Sequence, residues 1–113
     1  MTKALKKIDP DVHFRALHLL EEEPNLTQRE LAERLGISLG GVNYCVKALI
    51  DIGHIKGGNF KKNPEKSVYL YLLTPKGIRE KANLTAGFLK RKMAEYQALK
   101  KEIDAIKSKA RRV

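Results

Sequence analysis

The chain has 113 residues, a formal net charge of +10, 42% hydrophobic and 32% charged residues, and a single cysteine. That length suits one domain with a modest core, and the charge favours an anionic partner, whether nucleic acid, an acidic protein or a membrane surface. The composition excludes an ordinary disordered chain and a membrane-spanning one, and a single cysteine excludes an internal disulfide.

Residues 1–9 are short and basic, hold too brief an apolar run for a secretory signal, and are expected to be loosely packed in a cytoplasmic protein. Asp9-Pro10-Asp11 marks a helix start, with Asp9 as the cap and Pro10 in the first turn, where its missing N–H costs nothing. Val12, Ala16, Leu17, Leu19 and Leu20 give this helix a broad apolar side, and Pro24-Asn25 stops it near Glu23. His13 and His18 lie on it and His54 follows later, with no cysteine or carboxylate cluster at metal-ligand spacing. The two helical histidines are therefore expected to be partly exposed, and no metal site is expected.

The stretch from Thr27 to Ile50 reads as two helices around a tight turn. Thr27 and Glu30 form a capping box that opens the first, which carries Leu31, Ala32 and Leu35 at helical spacing. Gly36 supplies the positive φ that ends it, Ile37 fills the corner, and Ser38 caps the second helix. Leu39, Val42, Cys45, Val46, Leu49 and Ile50 recur at steps of three and four and are expected to face the core, Cys45 as a small buried hydrophobe. Gly40, Asn43, Tyr44 and Lys47 fall on the other side, with no acidic group before Asp51. An amide, a phenol and an ammonium beside small glycines can approach a major groove and bond with base edges or phosphates. Capped helix pairs also occur in helical domains that bind no nucleic acid.

Gly53 is expected to end the second helix, with Ile52 and Ile55 packed beneath it. A short strand around residues 54–56, a turn-rich basic excursion over 56–66 (KGGNFKKNPEK) and a strand over Val68–Leu73 together predict a hairpin. Lys56, Asn59, Lys61, Lys62 and Lys66 stand in its loop against a single Glu65, a composition suited to phosphate contacts that position without specifying. A merely solvated loop has the same composition.

Thr74-Pro75 restarts a helix that nothing forces to stop before about Ser108, although Gly77 and Gly87 each weaken it by roughly 1 kcal/mol relative to alanine. Ile78, Ala82, Thr85 and Leu89, then Tyr96, Leu99, Ile103, Ile106 and Ala110, step by three and four as a heptad seam, with Met93 out of register. A one-sided stripe with no intramolecular partner implies a second copy, with Leu89, Tyr96, Leu99, Ile103 and Ile106 as the dimerisation residues. A frayed basic tail, or an amphipathic helix lying on an anionic membrane, are the alternatives, and the narrowness of the stripe favours pairing.

The order helix, helix-turn-helix, basic hairpin and restarted helix predicts a mainly α fold with a small β-hairpin wing. Residues 9–75 would form a winged helix-turn-helix domain and 76–110 a long C-terminal dimerisation helix. The sequence resembles the MarR family, in particular its small exopolysaccharide-associated regulators. The resemblance is carried by Thr27-Gln28-Arg29-Glu30-Leu31-Ala32-Glu33-Arg34-Leu35-Gly36-Ile37-Ser38, by Val42-Asn43-Tyr44, Leu49 and Gly53, and by Leu73-Thr74-Pro75-Lys76-Gly77, and it spans about residues 10–110. It implies a dimeric DNA-binding transcriptional regulator, with a recognition helix over Ser38–Ile50 and a wing over Lys56–Lys66. Larger members carry an Asp-x-Arg signature in the wing, whose arginine enters the minor groove; the corresponding loop here offers Asn59, Lys61 and Lys62.

The residues proposed to touch double-stranded DNA are thus Ser38, Gly40, Asn43, Tyr44, Lys47, Lys56, Asn59, Lys61, Lys62 and Lys66. No cofactor is expected, and no residue marks a small-molecule effector. A winged-helix module that binds an acidic protein of the transcription machinery is the competing reading, and RNA binding ranks third. The sequence has no glycine-rich phosphate loop, no paired carboxylates in an apolar setting and no nucleophile grouped with a base, so no enzymatic activity is expected.

Overall fold

In the computed structural model, which describes residues 8–63 and 66–112 and only the backbone of 60–63 and 66–68, the elements follow the predicted order. They are α1 (Pro10–Glu22), α2 (Gln28–Leu35), α3 (Leu39–Asp51), β1 (Ile55–Asn63), β2 (Lys66–Leu73) and α4 (Pro75–Arg111). This is a mainly helical, winged helix-turn-helix architecture with one antiparallel hairpin and a long last helix.

Helix starts are set by the predicted caps. Asp9 Oδ1 accepts from the N–H groups of Asp11 and Val12, and Ser38 Oγ and Thr74 Oγ1 accept from Gly41 and Gly77. The Thr27–Glu30 box closes in both directions at 3.0 and 3.1 Å, and the Thr27 backbone N–H holds the Glu30 carboxyl below its ordinary range. Gly36 and Gly53 adopt φ of 70° and 79°, which only glycine reaches without strain, and so end α2 and the turn after α3.

The core gathers Ala16, Leu17 and Leu20 of α1, Leu31 and Leu35 of α2, Val42, Cys45, Val46 and Leu49 of α3, and Ile52, Ile55 and Tyr71 around the base of the hairpin. Leu17, Leu20, Leu31 and Leu49 are fully buried, each contributing about 1.5–3 kcal/mol relative to exposure. Burial pushes the Cys45 thiol up, which keeps it protonated and inert. Residues 1–7 lie outside the described residues, but Ile8 is buried in the core, contrary to the loose packing expected for the segment up to Asp9.

Several expectations are corrected. Leu39 and Ile50 are 47% and 40% exposed, because the buried arc of α3 centres on Val42, Cys45, Val46 and Leu49 and both residues fall at one edge of it; Ala48 is buried instead. His13 is buried, only 4% exposed, and packs against the equally enclosed His54; of the two helical histidines only His18 is exposed. The predicted loop after Lys56 is largely strand: Gly57, Gly58 and Asn59 pair with Tyr71, Leu70 and Tyr69. Ladder hydrogen bonds to a β-branched and aromatic partner strand outweigh the weak intrinsic preference of those glycines. β2 is tied back to the body through Tyr71 N–H, which donates to Pro24 O at 3.0 Å.

α4 docks on α1 through a face that the heptad pattern does not mark. Phe88 stacks on Phe14 with ring centroids 4.4 Å apart, and Leu84 packs against the core. Lys81 pairs with Glu21, while Arg91 and Lys92 reach Asp11 at 2.7 and 2.9 Å. Lys92 and then Arg91 hold the Asp11 carboxyl below its ordinary value; these pairs are half-exposed at the surface and orient the helix more than they stabilise it. From Met93 onward every described residue is exposed, so the final stretch of α4 projects roughly 28 Å into solvent at 1.5 Å per residue.

Candidate nucleic-acid interface

The outer face of α3 is presented by a helix whose opposite side is locked in the core. Its N-terminus carries Ser38, exposed, with its side-chain oxygen engaged by Gly41 N–H at 3.0 Å. Gly40 follows with no heavy atom within 4 Å of where a Cβ would stand, so protein packing does not require glycine there and the space in front of it is open. Tyr44 is 44% exposed and Lys47 is also exposed. Together with Asn43, Ala48 and Asp51 they line one shallow surface groove along the helix.

Asn43 sits at the flank of this face and is half-buried. Its Nδ2 donates to Gln28 Oε1 at 3.2 Å, and Gln28 Nε2 donates to Tyr71 OH at 3.0 Å. A chain of side-chain hydrogen bonds thereby links α3, the N-terminal turn of α2 and the base of the hairpin. Sequence reasoning does not bring Gln28 and Tyr71 to this face. Gln28 was legible only as the residue after a cap, and Tyr71 only as a strand aromatic; separations of 15 and 43 positions leave no periodic signal.

On the hairpin, Lys56 and Asn59 are exposed. The backbone places Lys61 opposite Ser67 and Lys66 opposite Asn63, with an irregularity in register between Lys61 and Asn63. The side chains of Lys61, Lys62 and Lys66 lie outside the described residues.

Behind α3, the turn from it into β1 is bound to the start of α4. Lys76 Nζ donates to Ile52 O at 2.8 Å, Thr74 N–H donates to His54 O at 3.0 Å, and the Thr74 hydroxyl donates to Gly53 O. Gly77 packs so tightly on His54 that a Cβ there would overlap its carbonyl oxygen and stand 2.9 Å from the carbonyl carbon. Read from sequence as a weak point of the helix, Gly77 is a packing requirement. The proposed dimerisation residues are apart from this face and open to solvent: Leu89, Tyr96, Leu99, Ile103 and Ile106 are 43% to 60% exposed.

Among the described residues no group of three or more potential metal ligands is found, and no helix is long and apolar enough to cross a membrane.

Residues 10–56 match a family described as winged helix-turn-helix DNA-binding. An uncharacterised HTH-type transcriptional regulator of Pyrococcus furiosus is 37% identical over 59 residues, which are 52% of this chain and 40% of that relative. The chain thus spans less than half of that relative's length. Among solved structures, wild-type ZitR of Lactococcus lactis in complex with DNA is similar at a TM-score of 0.58 and 26% identity, over 88% of this chain and 66% of that one. The zinc-dependent MarR family transcriptional regulator AdcR in its Zn(II)-bound state matches at 0.58 and 25% identity, over 88% and 63%. AdcR from Streptococcus pyogenes, at 0.63 and 22% identity over 85% and 69%, shares the fold. The chain therefore has a winged helix-turn-helix domain whose structural neighbours include MarR family regulators.

Proposed function

We propose that the chain is a sequence-specific double-stranded-DNA-binding transcriptional regulator that acts as a homodimer. The observation that carries this is the outer face of α3, where Gly40, Tyr44 and Lys47 stand exposed with Asn43 at their flank and no carboxylate precedes Asp51. Such a face fits a major groove, and a net charge of +10 draws the chain to the phosphate backbone. Ser38 sits at the mouth of the helix, while Lys56, Asn59, Lys61, Lys62 and Lys66 belong to the adjoining wing. Similarity to an HTH-type transcriptional regulator of Pyrococcus furiosus and to ZitR in complex with DNA supports the same reading. Placement beside the small exopolysaccharide-associated MarR regulators rests on the sequence block Thr27–Ser38 and on Leu73–Gly77.

The second copy is argued from α4. A helix that leaves the body with Met93, Tyr96, Leu99, Ile103 and Ile106 exposed gains little from solvent, since most helical stability comes from packing an apolar face. Pairing two such helices buries that face and sets two recognition helices at a fixed spacing, as successive major grooves require. Occupancy of a promoter would then act sterically on polymerase access. No small-molecule effector is assigned.

Selection from random duplexes, followed by the salt dependence of binding to the winning site, tests this. Recovery of a palindrome is the expected result. A steep salt slope with no recovered motif would reduce the interaction to nonspecific charge attraction and overturn the function.

A further inference from the structure

We propose that Gln28 is a positioning residue that turns the Asn43 amide so that it reads the exocyclic amino group of an adenine. This rests on the DNA-reading function above. Both polar atoms of Gln28 are engaged: Oε1 accepts from Asn43 Nδ2 at 3.2 Å, and Nε2 donates to Tyr71 OH at 3.0 Å. Tyr71 is only 8% exposed, and its backbone N–H is bonded to Pro24 O, so the far end of the chain is anchored in the protein body. In this arrangement the bond donated from Asn43 Nδ2 turns the nitrogen end of that amide inward. The carbonyl Oδ1 and the second N–H of Nδ2 remain for a ligand, and they match the donor N6 and acceptor N7 that adenine, alone among the four bases, carries together on its own major-groove edge.

The arrangement also accounts for a half-buried asparagine at the flank of an otherwise exposed face. An unsupported amide can rotate and offer either end, so it would discriminate poorly between an amino group and a carbonyl. Held by Gln28, it is preorganised, and the ordering cost is met on folding.

The test compares base preference at each position of the selected site for the full-length wild type, Gln28→Leu, Gln28→Glu, Asn43→Ala and the Gln28→Leu/Asn43→Ala double variant, each checked for an unchanged melting temperature. Gln28→Leu should lower the preference for adenine at one position on the order of ten-fold, the scale of one bidentate contact, while its affinity for random duplex changes little. Asn43→Ala should lose preference at the same position, and the double variant should lose no more than Asn43→Ala alone. Gln28→Glu still accepts from Asn43 Nδ2 and can accept from Tyr71 OH, so it should keep the adenine preference while binding all duplexes more weakly through its added negative charge. A merely structural role for Gln28 would shift all positions together. Unchanged preference in Gln28→Leu, or additive losses in the double variant, would overturn this proposal and leave the DNA-reading function standing; failure of the wild type to select any motif would overturn both.

Discussion

His13 of α1 and His54 at the start of the hairpin face one another inside the protein, with Nε2 of the first 3.1 Å from Nδ1 of the second. His54 Nε2 looks the other way, to Glu80 Oε2 of α4 at 4.0 Å. With its proton on Nε2, toward Glu80, His54 accepts from His13 Nε2–H while both rings are neutral. Three elements meet at this pair: the first helix, the turn that leaves α3, and the start of the long helix.

Stability should therefore fall on mild acidification. Burial holds the His13 imidazole below its ordinary 6.5, with the His54 charge acting in the same direction and Glu80 partly opposing; burial does the same to His54, with Glu80 opposing and Lys76 adding. The unfolded chain takes up protons near 6.5 and the folded chain does so only at lower pH. The contribution is thus fully present above about pH 6.5 and is lost as pH drops through the lowered values, with a slope of up to about 1.4 kcal/mol per pH unit for each imidazole. Denaturant melts between pH 7.5 and 5 measure this slope. His13→Gln, which can still donate to His54, should reduce it by about half, and an undiminished slope would assign the titration to other groups.

Gly77 and Gly87 should respond in opposite ways to alanine. At Gly77 the new methyl would collide with the His54 backbone, so Gly77→Ala should destabilise by about 1–3 kcal/mol despite the helix preference of alanine. At Gly87 the nearest atom is the movable end of Arg91, 3.1 Å from the Cβ position, so Gly87→Ala should be neutral or stabilising by up to about 1 kcal/mol. Equal melting temperatures for the two variants would contradict the close packing of α4 on the turn after α3.

Gly40→Ala should separate folding from binding. Nothing within the chain lies within 4 Å of the added methyl, and the substitution should stabilise α3 by about 0.5–1 kcal/mol. If α3 enters a groove by this end, the same methyl meets DNA, and binding should weaken by roughly 1–2 kcal/mol, the scale on which overpacking disturbs a close contact. Electrophoretic mobility shifts beside thermal melts would show it; unchanged DNA affinity would move the groove contact toward Tyr44 and Lys47.

The proposed dimer should depend on the distal half of α4. Leu99 and Ile103 lie on the projecting part of α4, 55% and 43% exposed, so Leu99→Glu/Ile103→Glu should leave the monomer fold and its helicity intact. Each buried aliphatic side chain contributes about 1.5–3 kcal/mol to pairing, twice over by symmetry, and losing them should leave a monomer at micromolar concentration. Wild-type pairing should persist or tighten as salt rises, because salt screens the lysines but not the apolar contact. A double variant that still sediments as a dimer would relocate the interface to Ile78–Leu89 or to α1.

Sequence alone determined the features whose physics is local. The caps at Asp9, Thr27, Ser38 and Thr74 satisfy backbone N–H groups within three positions of themselves, and Gly36 and Gly53 supply a φ that other residues reach only with strain. Element order, the helix-turn-helix and the two faces of α3 follow from those signals and from a 3.6-residue period. Tertiary structure decided what depends on which surfaces meet. Gly57 and Gly58 became strand only because Tyr71 and Leu70 stand opposite them, and Leu84 and Phe88, not the heptad positions, dock α4 because Phe14 and the core lie on that side. His13 was enclosed by His54, 41 positions away, and Gln28 was brought to Asn43 by the packing of α2 on α3. A periodic pattern reports which side of an element is apolar, whereas the partner of a polar side chain is chosen by the angle and register at which two elements pack, and no spacing along one chain encodes that.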